Sequence, residues 1–159
     1  MEDLKVLMKK VEEQRKTFIV SSFTNAEAFD LGYYIYQKAV REGKPFAVSV
    51  TRNRQRLFYA AAEGPTTEND NWIMRKENTA YFFQKSSYEI ALYMKIRQAN
   101  IFDRCGLDRS QYVQAGGAVP IYGKGFGMIG TATVSGMSQE EDHAFVSEAV
   151  AEWIESRAE

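Results

Sequence analysis

Gly116-Gly117-Ala118-Val119-Pro120-Ile121-Tyr122-Gly123-Lys124-Gly125-Phe126-Gly127-Met128-Ile129-Gly130-Thr131-Ala132-Thr133-Val134-Ser135 decides the fold class. Its apolar and β-branched residues fall into two runs, and the spacing predicts long strands over 112–121 and 126–135. Tyr122-Gly123-Lys124-Gly125 between them reads as a hairpin turn, which forces antiparallel pairing, because a parallel pair needs a crossover of a dozen or more residues. A second hairpin precedes it: strands over 46–51 and 56–61 flank Asn53-Arg54. A fifth strand is predicted over 17–23, rich in β-branched and aromatic residues.

Helices fill the rest. Leu4, Leu7, Met8 and Val11 repeat at i, i+3, i+4 and i+7, predicting a helix over 2–15. Thr24-Asn25-Ala26-Glu27 is a capping box opening a helix over 25–42, stopped by Gly43 and Pro45. Helices are also predicted over 68–84, after the capping-box pattern Ser86-Ser87-Tyr88-Glu89, and after a further box, Ser138-Gln139-Glu140-Glu141. Residues 101–111 read as loop. The order α-β-α-β-β-α-α-β-β-α favours an α+β domain, a five-stranded antiparallel sheet covered by helices, over the single stretch 1–159.

Composition bounds the function without choosing it. The chain has 159 residues, 45% hydrophobic and 26% charged, with 20 Lys+Arg against 21 Asp+Glu. That balance exerts no global pull toward nucleic acid or an anionic membrane. No apolar run is long enough to suggest a membrane span, and residues 1–5 lack the basic start of a signal peptide. One cysteine, Cys105, cannot build an internal disulfide framework, so a cytoplasmic location is expected.

Several patterns invite chemistry. Gly125-Phe126-Gly127-Met128-Ile129-Gly130 spells G-x-G-x-x-G, but the residues after it are β-rich, where a dinucleotide site requires a helix. His143 is the only histidine, which leaves no multi-histidine metal site. It reads either as an axial ligand or proton donor, or as a polar residue ordering a helix start. Ser86 and Ser87 lack a histidine nearby in sequence and Ser86 has a capping role, so whether any reaction is catalysed stays open. Cys105 beside Arg104 is a lone thiol. Arg41, Lys44, Arg52, Arg54 and Arg56 form a basic cluster, either a solvated hairpin tip or an anion contact, without an RNA- or DNA-binding pattern. Arg75 and Lys76, on a helix with Trp72, read either as ordinary helix surface or as a guanidinium and an ammonium beside an aromatic wall, which suits a carboxylate or phosphate.

The segments Gly116-Gly117-Ala118-Val119-Pro120-Ile121, Ile129-Gly130-Thr131-Ala132-Thr133-Val134-Ser135-Gly136 and Glu141-Asp142-His143 resemble the GlcG/HbpS-like superfamily, often called the haem-degrading domain. Trp72, Arg75-Lys76, Asn78 and Ser86-Ser87 resemble its uncharacterised cytosolic branch. The resemblance implies a profilin-like three-layer α/β/α fold, a homo-oligomer, and, in some relatives, binding of haem, cobalamin or another small organic ligand. The expected ligand is a small anionic organic molecule. Arg75 and Lys76 hold the anion, Trp72 packs on its apolar part, Asn78, Ser86 and Ser87 mark the same segment, and His143 supplies a polar group. A non-catalytic assembly or adaptor protein, and a haem-binding or haem-degrading protein, are the alternatives.

Self-association is expected through residues 28–40. Ala28, Leu31, Ile35 and Ala39 form one stripe, and Phe29, Tyr33, Tyr36 and Val40 a second. The two lie roughly 110° apart around the helix, so both cannot face one sheet.

Overall fold

A computed structural model describes residues 2–158. Its first helix, α1 (Glu2–Gln14), runs into a 3-10 turn, Arg15–Phe18. Strand β1 (Ile19–Val20) follows, then α2 (Asn25–Arg41), the hairpin β2 (Ala47–Arg52) and β3 (Gln55–Ala61), and α3 (Thr67–Phe83). The chain continues through α4 (Ser87–Ile96), α5 (Ile101–Cys105), the hairpin β4 (Ala118–Gly123) and β5 (Gly127–Ser135), and α6 (Gln139–Arg157). No described helix is long and apolar enough to cross a membrane.

The five strands form one sheet in the order β1-β4-β5-β2-β3. Both hairpins are antiparallel, and so is the β2–β5 pair that joins them. The expected all-antiparallel sheet needs one correction: β1 runs parallel to β4. Its return to the sheet uses the long crossover through α2 and the intervening elements that a parallel pair requires.

Local chemistry explains where elements differ from expectation. The strand expected over 17–23 shrinks to two residues because residues 15–18 close into the 3-10 turn. The strand expected from 112 begins only at Ala118. Thr79 Oγ1 donates to the Val113 carbonyl at 2.7 Å and accepts its N–H at 3.1 Å, so a side chain takes the bonds a ladder would use. Within 101–111, Ile101 is fully buried and Asn100 caps a short helix by accepting from Asp103 N, so the expected loop contains α5. The capping boxes at Thr24 and Ser138 close at both ends. At Ser86 only half forms: Ser86 accepts from Glu89 N, while the Glu89 carboxylate is taken by Arg15. Gly130, the last glycine of the G-x-G-x-x-G pattern, sits in β5, where a Cβ would lie 2.3 Å from the Thr51 carbonyl of β2.

The sheet has two unlike faces. Val48, Val50, Val119, Ile121, Ala132 and Val134 face α2 and α6 and form the main core with Leu31, Ile35, Val146 and Val150. Burying each of the valine, leucine and isoleucine side chains contributes roughly 1.5–3 kcal/mol. Gly32 lets α2 approach: a Cβ there would fall 2.2 Å from the Phe58 ring. On the opposite face α3 packs across β4 and β5. There the strands present hydroxyls.

Candidate functional site

Ser49 and Thr51 on β2, and Thr131, Thr133 and Ser135 on β5, are each two residues apart and therefore share a face. Register places Ser49 opposite Thr133 and Thr51 opposite Thr131. All five are buried beneath α3. Buried hydroxyls require partners, and α3 supplies most of them. Ser49 donates to Glu77 Oε1 at 2.5 Å, Thr51 shares bonds of 2.6 Å with both Tyr81 and Thr131, and Asn69 Nδ2 donates to Ser135 at 3.1 Å. Thr133 Oγ1 is buried without a partner among the described residues. Burial pushes the Glu77 carboxyl above its ordinary range, opposed by the Ser49 hydrogen bond and by Arg56, whose Nη2 is 3.9 Å away.

At one end the layer opens into a cleft of about 220 Å³ between α3 and the start of α6. Asn69, Trp72 and Lys76 line it from α3, and Ser135, Gln139 and Asp142 from the other side. Lys76 Nζ donates to Asp142 Oδ2 at 2.9 Å and to the Val134 carbonyl at 3.3 Å. Both charged side chains are almost fully buried. Burial pushes the Lys76 ammonium down and the Asp142 carboxyl up, each offset in part by its partner's charge. Gly117 makes room for this lysine: a Cβ there would lie 2.6 Å from Nζ, and its φ of +139° is one L side chains rarely adopt.

The residues expected to form a site do not gather in one place. Trp72 and Lys76 line the cleft. Arg75 is half-buried outside that lining, its guanidinium 4.9 Å over the Trp72 ring and its Nε buried without a partner among the described residues. Asn78 ties α3 to its surroundings: Nδ2 donates to the Gln111 carbonyl and Oδ1 accepts from Arg54. Ser86 caps α4, and Ser87 Oγ accepts from Ala118 N, covering the outer edge of β4. His143 lies toward α1. Its Nε2 is 2.7 Å from Gln14 Oε1, its ring lies 4.7 Å from that of Tyr88, and it is 3% exposed. Burial lowers its pKa to about 4.

The basic cluster is engaged at the hairpin tip, with Arg52 on the Phe23 carbonyl, Arg54 over Tyr81 and Arg56 over Tyr59. Tyr59 also donates to Asp70, and burial with that bond pushes its hydroxyl up to about 12. Asp142, Glu77 and the hydroxyl layer were not among the expected site residues. The period-two hydroxyls at 49 and 51 and at 131, 133 and 135 carry the signal that could have found the layer.

A family model described as haem degrading protein HbpS-like matches residues 23–151. The chain belongs to the HbpS-like family. A UPF0303 protein of Paraburkholderia phymatum is 36% identical over 143 residues, 90% of this chain and 87% of that protein. A UPF0303 protein of Zymomonas mobilis is 38% identical over 141 residues, 89% and 76% of the two chains. Among solved structures, the Ybr137w protein superposes with a TM-score of 0.87 at 29% identity, covering 96% of this chain and 90% of its own. PduOC in complex with heme shares the fold, with a TM-score of 0.67 at 19% identity over 83% of this chain and 94% of its own. The HbpS-like match encloses α3, the hydroxyl layer and Asp142, while Gln14, the partner of His143, precedes it.

Proposed function

We propose that this HbpS-like protein binds a small anionic organic molecule at the cleft between α3 and α6, and does so as a homo-oligomer. The observation that supports this best is the meeting of Trp72 and Lys76 in one cleft, with Asn69 beside them. Two of the three Lys76 ammonium protons are used by Asp142 and Val134, which leaves one for a ligand oxygen. Because Asp142 offsets the Lys76 charge, the uncompensated positive charge beside the cleft is that of Arg75, held against Trp72 outside the lining, and it attracts an anion through space rather than by contact. The cleft is smaller than the roughly 300–1,000 Å³ of sites for drug-sized ligands, which limits the molecule to a few heavy atoms beyond its charged group. Titrating small carboxylates and phosphates against Trp72 fluorescence, in a Trp153→Phe background, tests the reading. Saturable quenching that Arg75→Gln weakens supports it, and a flat response to both classes refutes it.

Haem is the group the family description implies, and the residues here do not fit it. The cleft is too small to enclose a macrocycle. His143 does not line the cleft: its Nε2 is taken by Gln14, its ring lies against Tyr88, and its Nδ1 is buried without a partner among the described residues.

Self-association is supported by α2. Ala28, Leu31, Ile35 and Ala39 are fully buried, while Phe29, Tyr33 and Val40 are about half exposed and Tyr36 packs partly on Phe58. An exposed patch of this kind marks an interaction surface. It also favours the second reading, an assembly or adaptor protein without a ligand.

A further inference from the structure

Two cavities larger than the cleft lie at the sheet edge formed by β1, away from the polar layer. One, of about 520 Å³, has Val20, Trp153 and Ile154 in its wall and Ser21, Ser22 and Arg157 as its polar groups. The other, of about 380 Å³, lies among Tyr122, Phe126 and Arg15. Ile19 and Lys124 belong to both. Trp153 comes from α6, whereas the Tyr122 hydroxyl donates to the Gln84 carbonyl at the end of α3. The two cavities therefore sit on opposite faces of the sheet, with the edge strand between them.

Strand β1 has a neighbour on one side only. The Val20 carbonyl accepts from Lys124 N at 2.9 Å, so Val20 turns its backbone toward β4. Backbone groups alternate in direction along a strand, which aims the N–H and C=O of Ile19 away from the sheet, and Ser21 leaves the strand. Apolar surface accompanies this open edge: Ile19 is 44% and Phe126 70% exposed.

We propose that the β1 edge receives an extended, acidic segment of a partner protein, laid alongside as a sixth strand. Successive side chains of such a segment point to opposite faces, as the two cavities require. An apolar side chain enters between Ile19, Tyr122 and Phe126. The next residues, on the other face, meet hydroxyls and cations. Charge selects an acidic partner: Arg15, Lys16, Lys124 and Arg157 line the two cavities against the single carboxylate of Glu27. Glu27 is already held by Arg157, and Arg15 by Glu89, so the exposed Lys124 at the junction is the group placed to take a partner carboxylate.

The test uses a short fluorescent peptide alternating aspartate with leucine, titrated against the full-length protein by anisotropy. Three comparisons accompany it: the same peptide N-methylated at its central residues, a lysine–leucine peptide, and the variants Lys124→Glu and Phe126→Ser. Micromolar binding is expected, weakened at least about tenfold by N-methylation and by each variant. Phe126 and Lys124 are exposed, so both variants keep the thermal midpoint of the parent. Equal affinity for the N-methylated peptide overturns strand addition, and equal affinity for the lysine–leucine peptide overturns the charge assignment. Absence of binding at millimolar peptide, or binding that ignores both substitutions, overturns the site itself.

Discussion

Lys76 and Asp142 form a buried ion pair, Nζ to Oδ2 at 2.9 Å, that joins the middle of α3 to the first turn of α6. It stands where the hydroxyl layer meets the cleft, so it serves as both a structural tie and one wall of the candidate site. Asp142 also accepts from Met137 N at 2.9 Å, which fixes the turn leading into α6.

Breaking this pair on one side leaves an unpaired buried charge. Lys76→Met or Asp142→Asn alone is expected to cost about 3–5 kcal/mol of stability. The double variant Lys76→Met, Asp142→Asn removes both charges while Asn keeps an acceptor for Met137 N, and recovers most of the loss. Urea unfolding of the parent, both single variants and the double variant measures this directly. A double variant as unstable as the sum of the singles would contradict it.

His143 gives the protein a specific acid sensitivity. Its folded pKa, about 4, lies below its ordinary value of 6.5, so the folded state binds fewer protons than the unfolded state in that window. Its contribution is complete above pH 6.5 and is lost as pH falls to about 4. At 1.36 kcal/mol per unit the full loss is about 3 kcal/mol. Glu77 and Asp142 act in the opposite sense, because burial raises their pKa values and protonating them favours the folded state. The measurable quantity is therefore the difference between the parent and His143→Gln. Unfolding free energies from pH 7 to pH 4 should converge as pH falls, and parallel curves would contradict the assignment.

Around α2, separating assembly from folding needs positions that the core does not use. Tyr33 and Val40 are 47% and 53% exposed and lie seven residues apart on one helix face. Tyr33→Glu with Val40→Glu should reduce the mass seen by light scattering and move the unfolding free energy little. Tyr36 is the poorer choice, because it packs against the Phe58 ring at 6.5 Å. A parent that is already monomeric at micromolar concentration would contradict the proposed interface.

Features set by neighbouring residues were legible in the sequence. The Thr24 and Ser138 capping boxes, the hairpin at Asn53 and Arg54, and the buried stripe of α2 each depend on residues a few positions apart. At Asn53 and Arg54 both φ values are positive, 51° and 67°, as a two-residue hairpin turn requires. Long-range competition decided the rest. Tyr112 and Val113 are strand-favouring, yet Thr79 takes the hydrogen bonds of Val113 from 34 positions away. The alternating hydroxyls of β2 and β5 were visible as strand patterning. Only the β2–β5 pairing and the placement of α3 unite them into a layer. Lys76 and Trp72 stood out locally, but Asp142, 66 positions from Lys76, gained its role through the fold.

At the cleft, Arg75 carries the clearest energetic expectation. Arg75 lies beside the cleft and outside its lining, so losing its charge removes a through-space attraction of about 0.5–1 kcal/mol, or roughly two- to fivefold in affinity. Arg75→Gln should show that loss in ligand titrations while changing stability by no more than about 0.5–1 kcal/mol, since the residue makes no ion pair among the described residues. A stability loss of several kcal/mol with unchanged affinity would make Arg75 a purely structural residue.

The most direct test of the central claim is native mass spectrometry of the gently purified protein, repeated after denaturation. The account predicts a mass excess per chain corresponding to a small organic acid or phosphate, released on denaturation and absent from a Trp72→Ala, Arg75→Gln variant that remains folded. A tetrapyrrole mass bound one per chain, or a small acid retained in full by that variant, would contradict it.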